Sequence, residues 1–425
     1  MNRVVALFRE FSKQRRCSGE TAEAKAWLET FGKNCGYEVM SDESGNLLCR
    51  KGNPTLCLQS HYDMVCIGNT DSIEMVEEDG WLKAKGSTLG ADNGIGVAAM
   101  LWMMEEGHEI ECLFTNDEET GLIGASNITL QIKSPQLLNL DSEMEGEVFV
   151  GCAGGFDLTA TLTLLREPGS SGYRFYRVET QGFPGGHSGV DIHQSIPNAI
   201  REVALWCLDQ GASIVRFEGG ERPNAIPRGV NVIVAFPEDK IPESTERISV
   251  TPVEEALPPV VESKRVAALL AGAPDGVLGW LEGYGVPSRS ANVAMVRHEA
   301  SKLTIILTGR AMDDTALAML SKECRAHFLL GSDDVVIHNK YPAWKPEESA
   351  FSHEVAQMSR QIVGKGEKTV IHAGLECGIL KKRLGNVDVA SIGPTIRWPH
   401  SDREQVDIAS VERFALLVKA LVTRG

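Results

Sequence analysis

Apolar residues in the first third of the chain recur at two different intervals. Leu7, Phe8 and Phe11 have helical spacing, a second helical pattern follows Ser18, and an apolar stretch over residues 97–104 predicts a further helix. Short apolar runs bounded by polar or glycine residues are typical of buried strands, and they occur at residues 56–58, 112–114 and 137–140. This succession of helices and strands predicts an α/β fold.

The middle of the chain mixes strand-like and helical patterns. Alternation predicts strands and helical spacing predicts helices in these segments: strands at 157–165, 173–180, 230–236 and 303–308, and helices at 196–208, 262–270 and 315–329. Such a mixture indicates a separate α+β domain, which we predict to be inserted over about residues 156–336.

The last part of the chain returns to the pattern of the first. Helices are predicted at 351–363 and 411–422, and strands at 369–371 and 387–392. We therefore predict a discontinuous α/β domain of residues 1–155 and 337–425, with a mixed, mostly parallel sheet flanked by helices.

Length and charge narrow the class of protein. A chain of 425 residues is too long for one ordinary hydrophobic core, which agrees with two domains. The composition, 43% hydrophobic and 24% charged, is that of a folded globular protein. Its formal net charge of −16 argues against nucleic acid as a partner, because phosphate binding needs clustered Lys and Arg.

The ten cysteines include no CxxC pair and favour reduced, mostly buried thiols. The N-terminal apolar run is too short for the core of a signal peptide. No segment approaches the roughly 18 apolar residues of a membrane span. We therefore expect a cytoplasmic protein without a membrane partner.

Several side chains of the kind that bind metal ions stand where predicted strands meet loops. They are His61 with Asp63, Asp92 in the segment GSTLGADNGIG, the pair Glu118 and Glu119, Asp141 and, far along the chain, His400. In α/β sheets, ligands gather outside the carboxyl ends of the strands. Oxygen and imidazole donors of this kind suit Zn²⁺, Co²⁺ or Mn²⁺.

These residues match the needs of a hydrolase with two metal ions, which uses a bridging carboxylate, an imidazole and a carboxylate for each ion, and a separate base. Asp92 suits the bridge. One of Glu118 and Glu119 can be a ligand while its neighbour acts as the base, and spacing alone leaves the choice open. Asp63, two residues after His61, points to the same side of an extended chain and can fix the imidazole tautomer.

Each of these groups also has a plain structural interpretation. Asp92 could be a helix cap, the pair of His61 and Asp63 a surface pair, and the pair Glu118–Glu119 a solvated acidic turn. The joint placement of all the groups at the ends of apolar strands favours the metal site.

Eight motifs follow one another over nearly the whole chain: SHYDMV, KGSTLGADNGIG, DEETGLIGA, LNLDSEMEGEVFVGCAGG, PGGHSGVDIH, PNAIPR, HAGLECG and RWPHS. In content and order they resemble the M20 metallopeptidases, specifically the aminoacyl-histidine dipeptidase branch of PepD-like cytosolic non-specific dipeptidases. The resemblance implies two Zn²⁺ per subunit, with Co²⁺ or Mn²⁺ as possible substitutes. It also implies an inserted lid and dimerisation domain, and a homodimer.

The resemblance assigns roles to individual residues. It implies that the metal ligands are His61, Asp92 as the bridge, Glu119, Asp141 and His400. It implies Glu118 as the general base for a water that bridges the metals, Asp63 as the residue that orients the imidazole, and His187 as the lid histidine that stabilises the oxyanion. The residues similar to those that hold the dipeptide's carboxylate and backbone are Asn224, Arg310 and Gly374.

We thus expect a dinuclear zinc dipeptidase acting on unblocked dipeptides, Xaa-His dipeptides included. The alternatives are an N-acyl amino acid deacylase or a tripeptidase of the same superfamily, and, from a different class, a non-catalytic protein that binds metal or peptide. The chain departs from the family pattern at Tyr62 and Trp398, which are bulkier than expected, and this bears on specificity.

Overall fold

The computed structural model of the chain describes residues 3–255 and 257–424. In those ranges the chain forms ten α-helices: α1 (Arg3–Phe11), α2 (Ala22–Asn34), α3 (Ala91–Glu105), α4 (Ile123–Ser126), α5 (Ala199–Gln210), α6 (Ser263–Ala271), α7 (Asp314–Leu329), α8 (Ala350–Ile362), α9 (Glu376–Leu384) and α10 (Ile408–Thr423). A short 3₁₀ helix spans Ile192–Gln194.

The strands of the same ranges are β1 (Glu38–Ser41), β2 (Leu47–Arg50), β3 (Leu56–His61), β4 (Met75–Glu78), β5 (Trp81–Ala84), β6 (Glu111–Thr115), β7 (Gln136–Asn139), β8 (Glu147–Cys152), β9 (Gly154–Thr163), β10 (Tyr173–Thr180), β11 (Gly186–His187), β12 (Ser213–Gly219), β13 (Ala225–Ile226), β14 (Val230–Pro237), β15 (Ile248–Val253), β16 (Gly276–Trp280), β17 (Pro287–Glu299), β18 (Lys302–Ala311), β19 (Asp334–Tyr341), β20 (Glu367–Ile371), β21 (Asp388–Ser391), β22 (Ile396–Arg397) and β23 (Gln405–Asp407).

The chain divides into two compact units. The first unit consists of Met1–Cys152, Pro346–Val370 and Leu375–Gly425. The second unit consists of Ala153–Lys345 and Ile371–Gly374. The chain therefore leaves the first unit once to build most of the second, and then returns to it.

The first unit is built on a mixed sheet with the strand order β1-β2-β6-β3-β7-β21-β8-β20. The four strands β6, β3, β7 and β21 run parallel at its centre. Antiparallel pairs flank them, β1 with β2, β2 with β6 and β21 with β8. All six residues of β3 are buried, as is typical of a parallel strand covered on both faces.

Helices pack on this sheet and on one another. Helix α3 packs on β3, and α1 and α10 pack on α3. Helices α8 and α9 pack on β21 and β8. A small second sheet of the same unit has the order β22-β23-β5-β4, and its antiparallel pair β22–β23 flanks the loop that carries His400.

The second unit is built on an antiparallel sheet with the order β15-β10-β14-β12-β17-β18-β9-β19, to which β16 adds by pairing with β17. Alternate residues of β9 are buried, namely Phe156, Leu158, Ala160 and Leu162. They belong to one apolar core together with residues of α5, α6 and α7. The period of two in β9 thus places one face of the strand in the core.

The predicted α/β fold with a mixed sheet flanked by helices is confirmed, and its four central strands pair in parallel. Strands β12, β15, β17 and β19 have no predicted counterpart, because polar side chains interrupt their apolar alternation. The motif HAGLECG, interpreted as a tight loop, already contains the start of α9 at Glu376.

The cysteines depart from expectation at one pair. Eight are free, and seven of those are buried, as predicted. Cys17 and Cys66 form a disulfide, so the prediction of reduced thiols is wrong for these two. Cys17 pairs with Met64 in an isolated parallel bridge, and this contact between segments distant in sequence brings the two sulfurs together. Across the described ranges, no helix is both long and apolar enough to cross a bilayer.

Candidate metal centre

Three neighbouring parallel strands deliver most of the predicted ligands to one edge of the first unit's sheet. His61 is the last residue of β3, which pairs in parallel with β6 and with β7. The segment after β6 carries Glu118 and Glu119, and Asp141 follows β7 by two residues. Since the carboxyl ends of parallel strands lie at one edge, residues far apart in sequence meet there.

Asp92 lies between two imidazoles. Its Oδ1 is 3.1 Å from Nε2 of His61, and its Oδ2 is 3.0 Å from Nε2 of His400. The two oxygens of one carboxylate thus face two different histidines. This is the arrangement that a carboxylate shared between two metal ions requires.

Each imidazole has a second carboxylate partner. Asp141 Oδ1 is 3.3 Å from His61 Nε2, and Glu119 Oε2 is 2.9 Å from His400 Nε2. Within each of the groups His61–Asp92–Asp141 and Asp92–Glu119–His400, the possible ligand atoms lie within 4.8 Å of one another. The two groups share Asp92, so the residues form two adjoining sets of donors.

Glu118 lies beside the first of these sets. A nitrogen of His61 and carboxylate oxygens of Glu118 and Glu119 also lie within 4.8 Å of one another. Burial raises the pKa of Glu118 well above its ordinary value, His61 opposes the shift, and the carboxylate of Glu119 adds to it. A buried carboxyl with a raised pKa, next to the ligand groups and outside both shared sets, has the properties of a proton-transferring group.

Asp63 fixes the surroundings of His61 and of both glutamates. Its backbone oxygen and its Oδ1 lie 3.2 and 3.5 Å from His61 Nδ1. Its carboxylate also accepts the backbone N–H groups of Glu118 and Glu119, at 3.0 and 3.3 Å, and the hydroxyl of Ser18. The side chain is fully buried. One carboxylate therefore ties the end of β3 to the segment after β6.

A buried polar network runs across the central strands below the predicted ligands. Gln59 of β3 donates to Glu376 Oε2 at 2.6 Å and accepts from Asn139 of β7. Thr115 of β6 also donates to Glu376 Oε2, and Ser391 of β21 donates to Asn139. These hydrogen bonds fix the register of the strand ends that carry His61, the glutamates and Asp141.

The donor set fits divalent cations. Burial opposes protonation of both imidazoles, but the carboxylates outweigh it, raising the pKa of His61 well above its ordinary value and that of His400 to about 11. Oε1 of Glu119 is buried and has no hydrogen-bond partner among the described residues. A divalent metal with N and O ligands would neutralise the excess negative charge and would bind the imidazole nitrogens and the unpaired buried oxygen.

The geometry at the start of α3 contradicts the alternative interpretation of Asp92 as a helix cap. Asp92 has φ −80° and ψ 111°, outside the helical region, and a cis peptide bond joins it to Asn93. The side chain of Asn93, rather than that of Asp92, accepts the N–H of Gly96 in the first turn. The capping role therefore falls to Asn93, and the carboxylate of Asp92 faces the two histidines.

The remaining predicted residues lie in the second unit. Strands β11 and β13 pair His187 with Ala225, and the backbone oxygen of Asn224 accepts the N–H of Ser188. Nδ1 of His187 accepts N–H groups from Gly189 and Val190, which places the ring proton of a neutral imidazole on Nε2. The motifs GGHSG and PNAIPR thus meet in one two-stranded ladder.

Arg310 and Gly374 lie close to the same tyrosine. Nη1 of Arg310 donates to the hydroxyl of Tyr341 at 2.6 Å. A Cβ at Gly374 would stand 2.9 Å from the Tyr341 ring, so the ring leaves no room for a side chain there. Gly189 lies against both His187 and Arg310, at 3.1 and 3.2 Å from its ideal Cβ position. The second unit therefore brings His187, Arg310 and Gly374 into one region.

Sequence reasoning missed four charged groups around the candidate centre: the buried Arg16, Glu376 and Glu404, and the half-buried Glu143. Burial raises the pKa of Glu143 to about 8, and that of both Glu376 and Glu404 to about 7. Glu404 follows His400 by four residues, and Glu376 lies in HAGLECG, so motif proximity was an available signal for both. Nothing in the local sequence singles out Arg16.

Two sets of imidazole and carboxylate donors that share one carboxylate, at the carboxyl edge of an α/β sheet, define the class of metal-dependent hydrolases. The model of peptidase family M20/M25/M40 matches residues 57–424, and the chain belongs to this family. It is therefore a peptidase and a hydrolase, of a metallopeptidase family whose members use divalent metal ions.

Individual relatives agree with this assignment. The chain is 32% identical to the cytosol non-specific dipeptidase of Escherichia coli (strain K12), over 93% of this chain and 92% of the relative. It is similar to the crystal structure of aminoacylhistidine dipeptidase from Vibrio alginolyticus, with a TM-score of 0.82, 30% identity, and coverage of 99% of this chain and 96% of the other. A tripeptidase of Staphylococcus aureus shares the fold, with a TM-score of 0.60, 16% identity, and coverage of 99% and 98%.

Proposed function

We propose that the chain is a dinuclear zinc dipeptidase that hydrolyses unblocked dipeptides, Xaa-His dipeptides included. The observation that carries the proposal is the position of Asp92, whose two carboxylate oxygens face His61 and His400 separately. The names of two relatives, a cytosol non-specific dipeptidase and an aminoacylhistidine dipeptidase, support the choice of substrate.

In this proposal each metal ion has its own imidazole and carboxylate. His61 and Asp141 would hold one ion, His400 and Glu119 would hold the other, and Asp92 would be a ligand of both. The proposed metal is Zn²⁺, with Co²⁺ or Mn²⁺ as substitutes. When bound, the pair of cations supplies Lewis acidity, which lowers the pKa of a water nucleophile and polarises the scissile carbonyl.

Glu118 is the proposed general base. Its carboxylate receives the proton of the attacking water and returns that proton to the nitrogen of the leaving amine when the peptide C–N bond breaks. Asp63 keeps the base in place, since it accepts the backbone N–H of Glu118, and it holds the His61 ring through Nδ1.

Substrate recognition is proposed to rest on residues of the second unit. Nε2–H of His187 would stabilise the oxyanion, from the partner subunit as in homodimeric relatives. Arg310 suits the free C-terminal carboxylate, because a guanidinium binds a carboxylate through two parallel hydrogen bonds. Asn224 and Gly374 are proposed to bind the peptide backbone.

We further propose that the inserted segment, predicted over residues 156–336, is a lid and dimerisation domain, and that the protein is a cytoplasmic homodimer. Sedimentation analysis of the full chain tests the dimer. A mass of one chain at all micromolar concentrations would contradict it.

The proposed activity is tested by measuring bound metal together with hydrolysis of a small substrate panel. We expect two equivalents of metal per chain and cleavage of a dipeptide such as Ala-His, with little cleavage of a tripeptide or an N-acetyl amino acid. Preference for the tripeptide or the N-acetyl amino acid would favour a tripeptidase or a deacylase. Metal binding without cleavage of any panel member would favour a non-catalytic binding protein.

The role of Arg310 is tested with a matched pair of substrates. Arg310→Lys keeps the charge but loses the planar fork, so we expect KM for a dipeptide with a free carboxylate to rise about ten-fold or more. The same dipeptide with a C-terminal amide lacks the charged group and should be cleaved poorly by both proteins. Equal KM values of wild type and variant for the free dipeptide would rule out this contact.

A further inference from the structure

Two buried charged side chains hold the loop that leads to Asp92, and the proposed mechanism uses neither. Glu404 is 3% exposed and Arg16 is 2% exposed. They reach the loop of residues 89–92 from opposite ends of the sequence. Burial of a charged group is costly unless the group is paired and hydrogen-bonded. The hydrogen bonds of these two side chains therefore show which part of the structure they stabilise.

Glu404 binds the loop through three backbone amides. Its Oε2 accepts the N–H groups of Leu89 and Gly90 at 2.9 and 2.7 Å, and its Oε1 accepts the N–H of Asp92 at 3.1 Å. Because the φ and ψ angles of Asp92 are not helical, helix α3 does not by itself fix this residue. The backbone position of Asp92 thus depends on a hydrogen bond to Glu404.

Arg16 binds a backbone carbonyl group of the same loop. Nη2 donates to the backbone oxygen of Gly90 at 2.5 Å. Gly90 has φ +69°, and a Cβ there would stand 2.2 Å from Nη2; a Cβ at Gly94 would stand 2.8 Å from it. The glycines of GADNGIG therefore leave the space that the guanidinium occupies. One peptide segment is held by a carboxylate at its N–H groups and by a guanidinium at its oxygen.

Arg16 also contacts the loop that supports His61. Nη1 lies 3.5 Å from the backbone oxygen of Asp63, and the same oxygen lies 3.2 Å from Nδ1 of His61. A single guanidinium thus connects the segments of two predicted ligands, His61 and Asp92. The guanidinium also lies over the ring of Phe11, 5.2 Å from its centroid, which fixes its plane from the other side.

We propose that Arg16 and Glu404 are positioning residues that set the place of the Asp92 carboxylate relative to His61, and hence the affinity of the shared metal position. The proposal rests on the metal-binding function proposed above. Groups that hold metal ligands in place typically contribute about 10–100-fold to metal affinity. Directional hydrogen bonds from two charged groups can define a carboxylate position that apolar packing would leave loose.

The experiment is a Co²⁺ titration of the metal-free full chain, followed by the visible absorption of the bound ion. For Glu404→Gln we expect about 10-fold weaker binding or more and an altered Co²⁺ spectrum, because the three loop amides lose their charged acceptor and one carboxylate oxygen is replaced by an NH₂ donor. With Zn²⁺ bound, kcat should fall while KM for the dipeptide changes little. Glu404→Asp, which keeps the charge on a shorter side chain, should recover part of the affinity.

Glu111→Gln is the matched control. Glu111 is another fully buried carboxylate of the first unit; it accepts the backbone N–H groups of Lys133 and Ser134 and pairs with Arg50 at 2.7 Å. We expect the control to lower the melting temperature of the metal-free protein as Glu404→Gln does, yet to bind Co²⁺ with the affinity and spectrum of the wild type. The comparison separates a loss of general stability from a loss of ligand position.

The outcomes are distinct. Wild-type affinity and spectrum in Glu404→Gln would overturn the inference and leave the metal function intact. Failure of the wild type to bind Co²⁺ would overturn the proposed function and the inference with it. If Glu404→Gln does not fold, Arg16→Lys decides, since it keeps the charge but cannot reach both backbone oxygens; unchanged Co²⁺ binding in this variant would overturn the inference.

Discussion

Histidines of the two units shift their pKa values in opposite directions. In the first unit, burial disfavours protonation of His61 and His400, yet the carboxylates around them raise both pKa values. In the second unit, burial and neighbouring arginines together lower the pKa of His298 to about 4 and that of His372 to about 3. The same side chain therefore gains or loses proton affinity according to the charges around it.

This difference shows what each unit is suited to bind. Carboxylates crowded around imidazoles attract cations, and a metal ion can replace the protons that the imidazoles hold. In the second unit, Arg310 donates a hydrogen bond to the Tyr341 hydroxyl, and burial and the charge of Arg310 lower the pKa of His372, which keeps that ring neutral. A cationic guanidinium beside neutral donors suits an anionic group such as a peptide carboxylate.

The largest expected effect is on the first unit. Asp92→Asn removes the charge that both donor sets share, so we expect a loss of both metal equivalents and a fall in kcat of about 1,000-fold or more. Metal analysis by mass spectrometry and dipeptide assays measure the two effects. Retention of both metal equivalents in this variant would contradict the interpretation of Asp92 as the shared ligand.

Glu118→Gln should come next in size. Removing the base while keeping its shape should lower kcat by about 100- to 10,000-fold, with bound metal unchanged because Glu118 is not a proposed ligand. Glu119→Gln is the counterpart, since it should lose metal as well as activity. If Glu118→Gln lost metal and Glu119→Gln kept it, the two roles would have to be exchanged.

Metal binding should depend steeply on pH. The raised pKa values of His61 and His400 mean that the metal-free protein holds protons there, and cations must expel them. Apparent Co²⁺ affinity should therefore rise with pH between 6 and 8, by up to about 100-fold per unit if two protons leave. The stability of the metal-free protein should change in the opposite direction. The protonated forms of the same two groups stabilise the folded state, and this contribution is lost as pH rises through the folded-state pKa values. A pH-independent Co²⁺ affinity would contradict the expected release of protons on metal binding.

The smallest effect is expected in the second unit. A pKa of about 4 for His298 lies below its unfolded value, so its contribution to stability is present near neutral pH and is lost as pH falls toward 4. Nδ1 of His298 accepts the N–H of Phe217, and the protection factor of that amide against hydrogen exchange should fall on acidification. His298→Gln should flatten this pH dependence, whereas His193→Gln, at an exposed histidine, should leave it unchanged. An unflattened profile in His298→Gln would assign the acid sensitivity to other groups.

The sequence predicted the ligand-bearing strands well because β3, β6 and β7 are short apolar runs whose ends carry the polar residues. Their parallel pairing then brings His61, Glu119 and Asp141 to one edge. The partners of Asp92 could not be predicted in this way. Arg16 and Glu404 reach its loop through tertiary contacts from the two ends of the chain; the position of Glu404 near His400 hinted at a role, but residue spacing does not show which loop it binds.

The second unit was harder to predict for a related reason. Strand β17 contains Ser288, Arg289 and Asn292, and it extends over 13 residues through pairing with β18 rather than through its own apolar pattern. The disulfide of Cys17 with Cys66 likewise depends on a contact between distant segments. Local patterns specify a strand or a ligand group, whereas partners across the fold are specified by packing.

The most direct test of the dinuclear centre is anomalous diffraction from crystals of the zinc-loaded protein, recorded at the zinc absorption edge. The account predicts two peaks on either side of the Asp92 carboxylate, one next to His61 and Asp141 and the other next to His400 and Glu119. A single peak, or peaks that do not share Asp92, would contradict it.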